Sequence, residues 1–174
     1  MKRAISVILS FVIFSINIFA AELTLDARSA ILIEADTGQV LYELNADEAL
    51  PPASVTKVMT MLLVMEAIDS GKCSLSDMVQ VSEYAASMGG SQIFLSPGES
   101  MSVEDLLKSV TVASANDAAV ALAEFIAGSE ESFVARMNQR AAELGLNATH
   151  FENTNGLDDT TQNHVTSARD IAIM

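Results

Sequence analysis

Basic residues are scarce in this chain: nine lysines and arginines stand against 23 aspartates and glutamates, a formal net charge of −14 at pH 7. Such a surface is repelled by nucleic acid and by anionic membranes, so neither is an expected partner. Cysteine is scarcer still. Cys73 has no second cysteine to pair with, which excludes an internal disulfide. The two histidines, His150 and His164, lie far from it and show no ligand spacing, so no metal site is expected. Also missing are an internal repeat and a low-complexity linker, and the length fits one domain.

What is present begins at the N-terminus. Met1-Lys2-Arg3 precedes an apolar run over 4–19, broken only by Ser6, Ser10, Ser15 and Asn17, and Ala20-Ala21 follow. A charged head, an apolar middle and a small-residue cleavage site form the layout of a secretory signal over 1–21. The run is short for a bilayer span of roughly 20 apolar residues. Cleavage removes Lys2 and Arg3 and no acidic residue, leaving a net charge of −16. The protein is expected to be exported.

Along the mature chain, 29–35 is apolar and β-leaning, Asp36-Thr37-Gly38 is a turn signal, and 40–44 alternates apolar with polar. Together they predict a β-hairpin. Pro51-Pro52 ends any strand and favours a helix start. From 58 to 68 nearly every residue is apolar, which predicts a helix buried on all sides, stopped by Gly71. The polar stretch 74–99, with breakers at Gly89-Gly90 and Ser96-Pro97-Gly98, reads as short helix, loop and turn. Further helices are predicted from Ser102 to about Val110, over 118–127 before Gly128, and over 132–144 before Gly145. The segment 153–159 reads as loop, and Thr166-Ser167-Ala168-Arg169-Asp170 opens another helix. The chain stops inside that helical pattern with no cap after it, so it is expected to be part of a longer protein.

Chemistry concentrates in Pro52-Ala53-Ser54-Val55-Thr56-Lys57. Residues i and i+3 share a helix face, so Lys57 can approach the Ser54 hydroxyl. Serine is a weak nucleophile until a base takes its proton, and a partly desolvated lysine is one group able to do so. The plain alternatives are an N-cap role for Ser54 and a solvated Lys57; the core-like run after Lys57 argues against the second. A hydroxyl and an amide recur at Ser114-Ala115-Asn116, between two helical stretches. Ser15-Ile16-Asn17 repeats that spacing inside the signal and carries no meaning.

Ser-x-x-Lys followed by Ser-x-Asn in this order resembles the D-alanyl-D-alanine carboxypeptidases, the low-molecular-mass penicillin-binding proteins. The likeness covers 30–174 and includes ILIEADTGQVLYELNADEALPPASVTKVMT, SQIFLSPGESMSVEDLLKSV, ASANDAAVALAEFIAGSEESFVARMNQRAAELGLNATHF, NGLDD and TSARDIAIM. It implies an α+β, β-lactamase/transpeptidase-like fold, an antiparallel sheet flanked by helices beside a helical lobe. Residues 22–174 are then a partial catalytic domain whose remaining strands are missing, leaving an unpaired edge and uncovered apolar surface. The implied roles are Ser54 as acylated nucleophile, Lys57 as its base, Ser114 as a proton relay, and Asn116 as partner of Lys57 or of the substrate amide. The implied substrate is a peptidoglycan stem peptide ending in D-Ala-D-Ala, with β-lactams as covalent inhibitors and no cofactor. Localisation follows as periplasm or the outer face of the cytoplasmic membrane or cell wall, with attachment through a C-terminal segment.

One motif of that family is lacking. No Lys-Thr-Gly occurs in the chain, so the groups that hold the substrate carboxylate and part of the oxyanion hole are absent, and residues 1–174 by themselves are expected to be inactive. Glu143-Leu144-Gly145-Leu146-Asn147 superficially resembles the deacylating element of class A β-lactamases, but spans a helix end and its glycine stop, so a structural role is expected. A β-lactamase, transpeptidase or esterase using the same site, and a non-catalytic wall-binding domain, stand as alternatives.

Overall fold

The computed structural model describes residues 24–157 and 161–174; the expected export signal over 1–21 lies outside the described residues. The predicted hairpin forms from β1 (Ala30–Ile33) and β2 (Val40–Leu44), antiparallel, with Ala30 opposite Leu44 and a bulge between Leu32 and Ile33. Its turn is tied by Glu34, whose carboxylate accepts from the Thr37 amide at 2.8 Å and the Asp36 amide at 3.1 Å.

After the two prolines, Ala53–Thr56 makes a single 3₁₀ turn that runs into α1 (Lys57–Asp69). Ser54 was expected in the first α-helical turn; it sits instead in this tighter one, where three residues complete a turn and i, i+3 side chains eclipse. The apolar sequence of α1 predicted burial all round. Met59, Thr60, Val64 and Ala67 are buried, but Val58 and Met65 are exposed, as are Leu32 and Leu41 on the hairpin.

The polar stretch 74–99 holds more structure than its sequence signals. β3 (Met78–Gln80) pairs antiparallel with β4 (Ser100–Ser102), and α2 (Glu83–Ala86) lies between them. Strands of three residues are too short to display an alternating pattern, so they read as loop.

α3 (Val103–Ala113), α4 (Asn116–Ala127) and α5 (Glu130–Leu144) follow, with α6 (Ala168–Ile173) near the end. Each of the predicted helices is present, with ends shifted by two or three residues. The starts of α3, α5 and α6 are fixed by serine caps: Ser102, Ser129 and Ser167 each accept from the amide three residues on at 3.1 Å. Losing such a cap costs about 1 kcal/mol.

α4 is the hub. Residues 116–123 along it are all buried, half of them alanine, and it touches α1, α2, α3, α5 and β3. Small side chains let neighbouring helices approach closely, and Phe133, Met137, Leu106 and Met59 fill the space around it. The C-terminal part returns to the hairpin side. The His150–Val165 bridge closes it on itself, the Leu50–Thr166 bridge ties it to the segment before Pro51, and Arg169 binds Asp47 at 2.6 Å and Glu43 at 2.7 Å. Residues 150–157 and 161–166 are thereby laid across the 3₁₀ turn.

Candidate active site

Ser54 is exposed, whereas Lys57 is only 3% exposed. The Lys57 Nζ lies 3.1 Å from Ser54 Oγ and donates to the Asn155 carbonyl at 2.7 Å. Among the described residues no carboxylate pairs with it. A buried ammonium without a counter-ion is disfavoured, and burial lowers the Lys57 pKa to about 8. Close to neutral pH part of the population is a free amine, whose lone pair faces the serine hydroxyl.

The turn carrying this pair is clamped by the loop 153–157. Thr60 on α1 donates its hydroxyl to the Thr154 carbonyl at 2.6 Å. Gly156, at φ +86°, lies so close that a Cβ there would be 1.8 Å from the Ala53 carbonyl oxygen. Ala53 itself has φ +47°, a region costly for any residue with a side chain. The loop keeps its shape through its own asparagines. Asn153 Oδ1 accepts from the Gly156 amide at 2.7 Å, and Asn155 Oδ1 from the Leu157 amide at 2.9 Å. Glu130 on α5 secures it by accepting from the Thr154 amide and hydroxyl. Glu130 also accepts from the Tyr84 hydroxyl at 2.7 Å; that bond, then burial, pushes the phenol up to about 12.

Ser114 and Asn116 occupy the junction of α3 and α4. Ser114 is the left-handed C-cap of α3, half-buried, and Asn116 opens α4 fully buried. The Asn116 Nδ2 donates to the Gly89 carbonyl at 2.7 Å and its amide to the Ser91 carbonyl at 2.7 Å. Asp117 is fully buried and accepts from the amides of Ile93, Leu95 and Ala118. Together they bind the 89–95 loop to the start of α4 and hold Phe94, at φ +61°, exposed on it.

Ser54 and Lys57 are thus in contact. Among the described residues no hydrogen bond joins Ser114 or Asn116 to either of them. Asn116 was expected as partner of Lys57 or of the substrate amide; its Nδ2 is taken by Gly89, and the partner of Lys57 is the Asn155 carbonyl. The connection runs from Asn116 to Gly89, and from Met88, beside Asn155 Nδ2 at 3.8 Å, to Lys57. Asn155 escaped the sequence reading because it acts through its backbone; the signal was the density of asparagine around an obligatory glycine. Glu143 bonds Gln139 at 2.9 Å and Arg140 at 3.3 Å on the exposed face of α5, where the helix-end reading placed it.

A family model described as D-alanyl-D-alanine carboxypeptidase matches residues 17–174. A D-alanyl-D-alanine carboxypeptidase of Bacillus subtilis is 55% identical over 100% of this chain and 47% of its own length. The solved D-alanyl-D-alanine carboxypeptidase of Francisella tularensis matches with a TM-score of 0.84 at 40% identity, over 88% of this chain and 37% of that one. Penicillin-binding protein D2 of Listeria monocytogenes, solved in an ampicillin-bound form, matches with a TM-score of 0.70 at 33% identity, over 87% and 60%. The architecture is the α+β fold of these proteins. The chain spans about half the length of the curated relatives it matches.

Two substitutions in the full-length protein test this geometry. Gly156→Ala drives a methyl into the Ala53 carbonyl; it is expected to cost about 3 kcal/mol in urea unfolding and to raise the Lys57 pKa from about 8 towards 10.5 by NMR titration. An unchanged unfolding midpoint and lysine titration would show that the loop does not clamp the turn. Asp117→Ala removes the acceptor of three amides and is expected to cost about 3 kcal/mol. A loss below about 0.5 kcal/mol, the scale of an ordinary surface change, would refute the pinning of the 89–95 loop.

Proposed function

The chain belongs to the D-alanyl-D-alanine carboxypeptidase family, and on that premise we propose that it is the nucleophile-bearing part of a serine carboxypeptidase acting on peptidoglycan stem peptides. The observation that carries this reading is the 3.1 Å approach of a buried, pKa-lowered lysine to the Ser54 hydroxyl.

In the proposed reaction the neutral Lys57 amine takes the Ser54 proton as Oγ attacks the carbonyl of the penultimate D-alanine. The Oγ–C bond forms, and the C–N bond to the terminal D-alanine breaks as its nitrogen receives a proton. Ser114 is suited to relay that proton, since a hydroxyl accepts and donates at once. The Asn116 Oδ1 is left to hold the substrate amide. Water then cleaves the ester and regenerates Ser54. A β-lactam enters the same first step and leaves its acyl group on Ser54. Glu143, paired with Arg140, offers no base for rapid deacylation, which supports a target of β-lactams over a β-lactamase. Export through 1–21, action in the periplasm or at the outer face of the cytoplasmic membrane or cell wall, and attachment through a C-terminal segment belong to the same reading.

Intact-mass analysis of the full-length protein with penicillin is expected to show one adduct, mapped to Ser54 and absent in S54A. The base must be unprotonated, so the acylation rate should climb with pH, about tenfold per unit on the acid side, and level off above the Lys57 pKa of about 8. An adduct that survives in S54A, or a rate flat between pH 6 and 9, would reject the assignment.

A further inference from the structure

Thr56 stands between the two residues of the proposed catalytic pair and takes no part in their chemistry. It is buried, and its Oγ1 lies 2.7 Å from Nε2 of His164, 108 residues later in the chain. The other ring nitrogen, Nδ1, lies 2.9 Å from the Glu152 backbone amide. An amide N–H only donates, so Nδ1 is the bare acceptor and the ring proton resides on Nε2. The Nε2–H therefore donates to Thr56 Oγ1, with the tautomer fixed by the backbone of the neighbouring segment.

The imidazole is 6% exposed and packs edge-on against Phe151, with ring centroids 5.8 Å apart and planes at 66°. The charged and titratable groups facing it are Glu152 and His150. Burial disfavours the protonated ring and His150 adds to that; together they outweigh Glu152, which favours it, and hold His164 below its ordinary range. The Glu152 carboxylate is otherwise occupied, accepting from the amides of Gln162 and Asn163. The bond from the Glu152 amide requires a neutral ring, with Nδ1 bare. Protonation would set a second N–H against the Glu152 amide and break the lock.

We propose that His164 is a positioning residue for acylation, fixing the turn that carries Ser54 and Lys57 through an Nε2–H···Oγ1 bond to Thr56. This rests on the reading of Ser54 as nucleophile given above. A 3₁₀ turn has no spare residue to absorb a rotation: Ser54 is two positions before Thr56 and Lys57 one after. A shift of Thr56 therefore changes the oxygen-to-nitrogen approach directly, and misplacements on the order of 1 Å cost about 100-fold in rate.

The test uses the full-length protein, a fluorescent penicillin as acylating probe, and ¹⁵N NMR of the histidine ring. H164F and the nearly isosteric T56V are each expected to lower the second-order acylation rate by about 10- to 100-fold. The double variant should be no slower than the slower single one, because both remove one bond. H164Q, which still presents an amide N–H to Thr56, should recover most of the rate. The NMR spectrum should show His164 as the neutral Nε2–H tautomer near neutral pH, with its signal displaced in T56V. A wild-type rate in either variant, effects of the two changes that multiply, or an Nδ1–H tautomer would overturn the proposal; T56V decides the kinetic part if H164F does not fold. Labelling that persists in S54A would instead overturn the nucleophile reading, and the tautomer and T56V spectra do not depend on that reaction.

Discussion

The site is organised around an ammonium group withdrawn from water and given a carbonyl, not a carboxylate, as its partner. A carboxylate beside Lys57 would stabilise the charged form and hold the proton on nitrogen. The Asn155 carbonyl satisfies the amine as a donor while leaving its protonation open to burial, which lowers the affinity for the proton. Much of the surrounding structure serves that placement. The clamp of 153–157, the support of that loop by Glu130, and the dense packing around α4 all keep the amine dry and aimed at Ser54.

Two irregular segments, 89–95 and 153–157, are shaped by amide and carboxylate side chains. Asn116 and Asp117 hold the first from α4, while Asn153 and Asn155 fold the second upon itself. Short side chains with several acceptors can satisfy backbone amides that no strand or helix reaches. Rigid loops result without additional sheet, at the cost of left-handed backbone at Ala53, Phe94 and Ser114.

Which parts were legible in the sequence follows from the same physics. Ser54 and Lys57 could be paired because a spacing of three places side chains together in an α-helix and in a 3₁₀ turn alike, so the wrong choice of helix type did no harm. Helices with serine before and glycine after announced themselves, as α5 did between Ser129 and Gly145. β3 and β4 stayed hidden because three residues carry no period. The role of Asn155 stayed hidden because a carbonyl is common to every residue. Asn116 was read as a partner of Lys57 or of the substrate amide; that its Nδ2 goes to the Gly89 carbonyl could not be read, because that acceptor too is plain backbone.

The carbonyl that receives Lys57 lies 98 residues after it in the chain. A polypeptide emerging from the ribosome or crossing a membrane in N-to-C order presents its serine long before that acceptor arrives. Until the later segment docks, the amine is bathed in water, fully protonated, and the alcohol beside it is inert. On the proposed reading, the pair gains its reactivity only when that long-range contact closes.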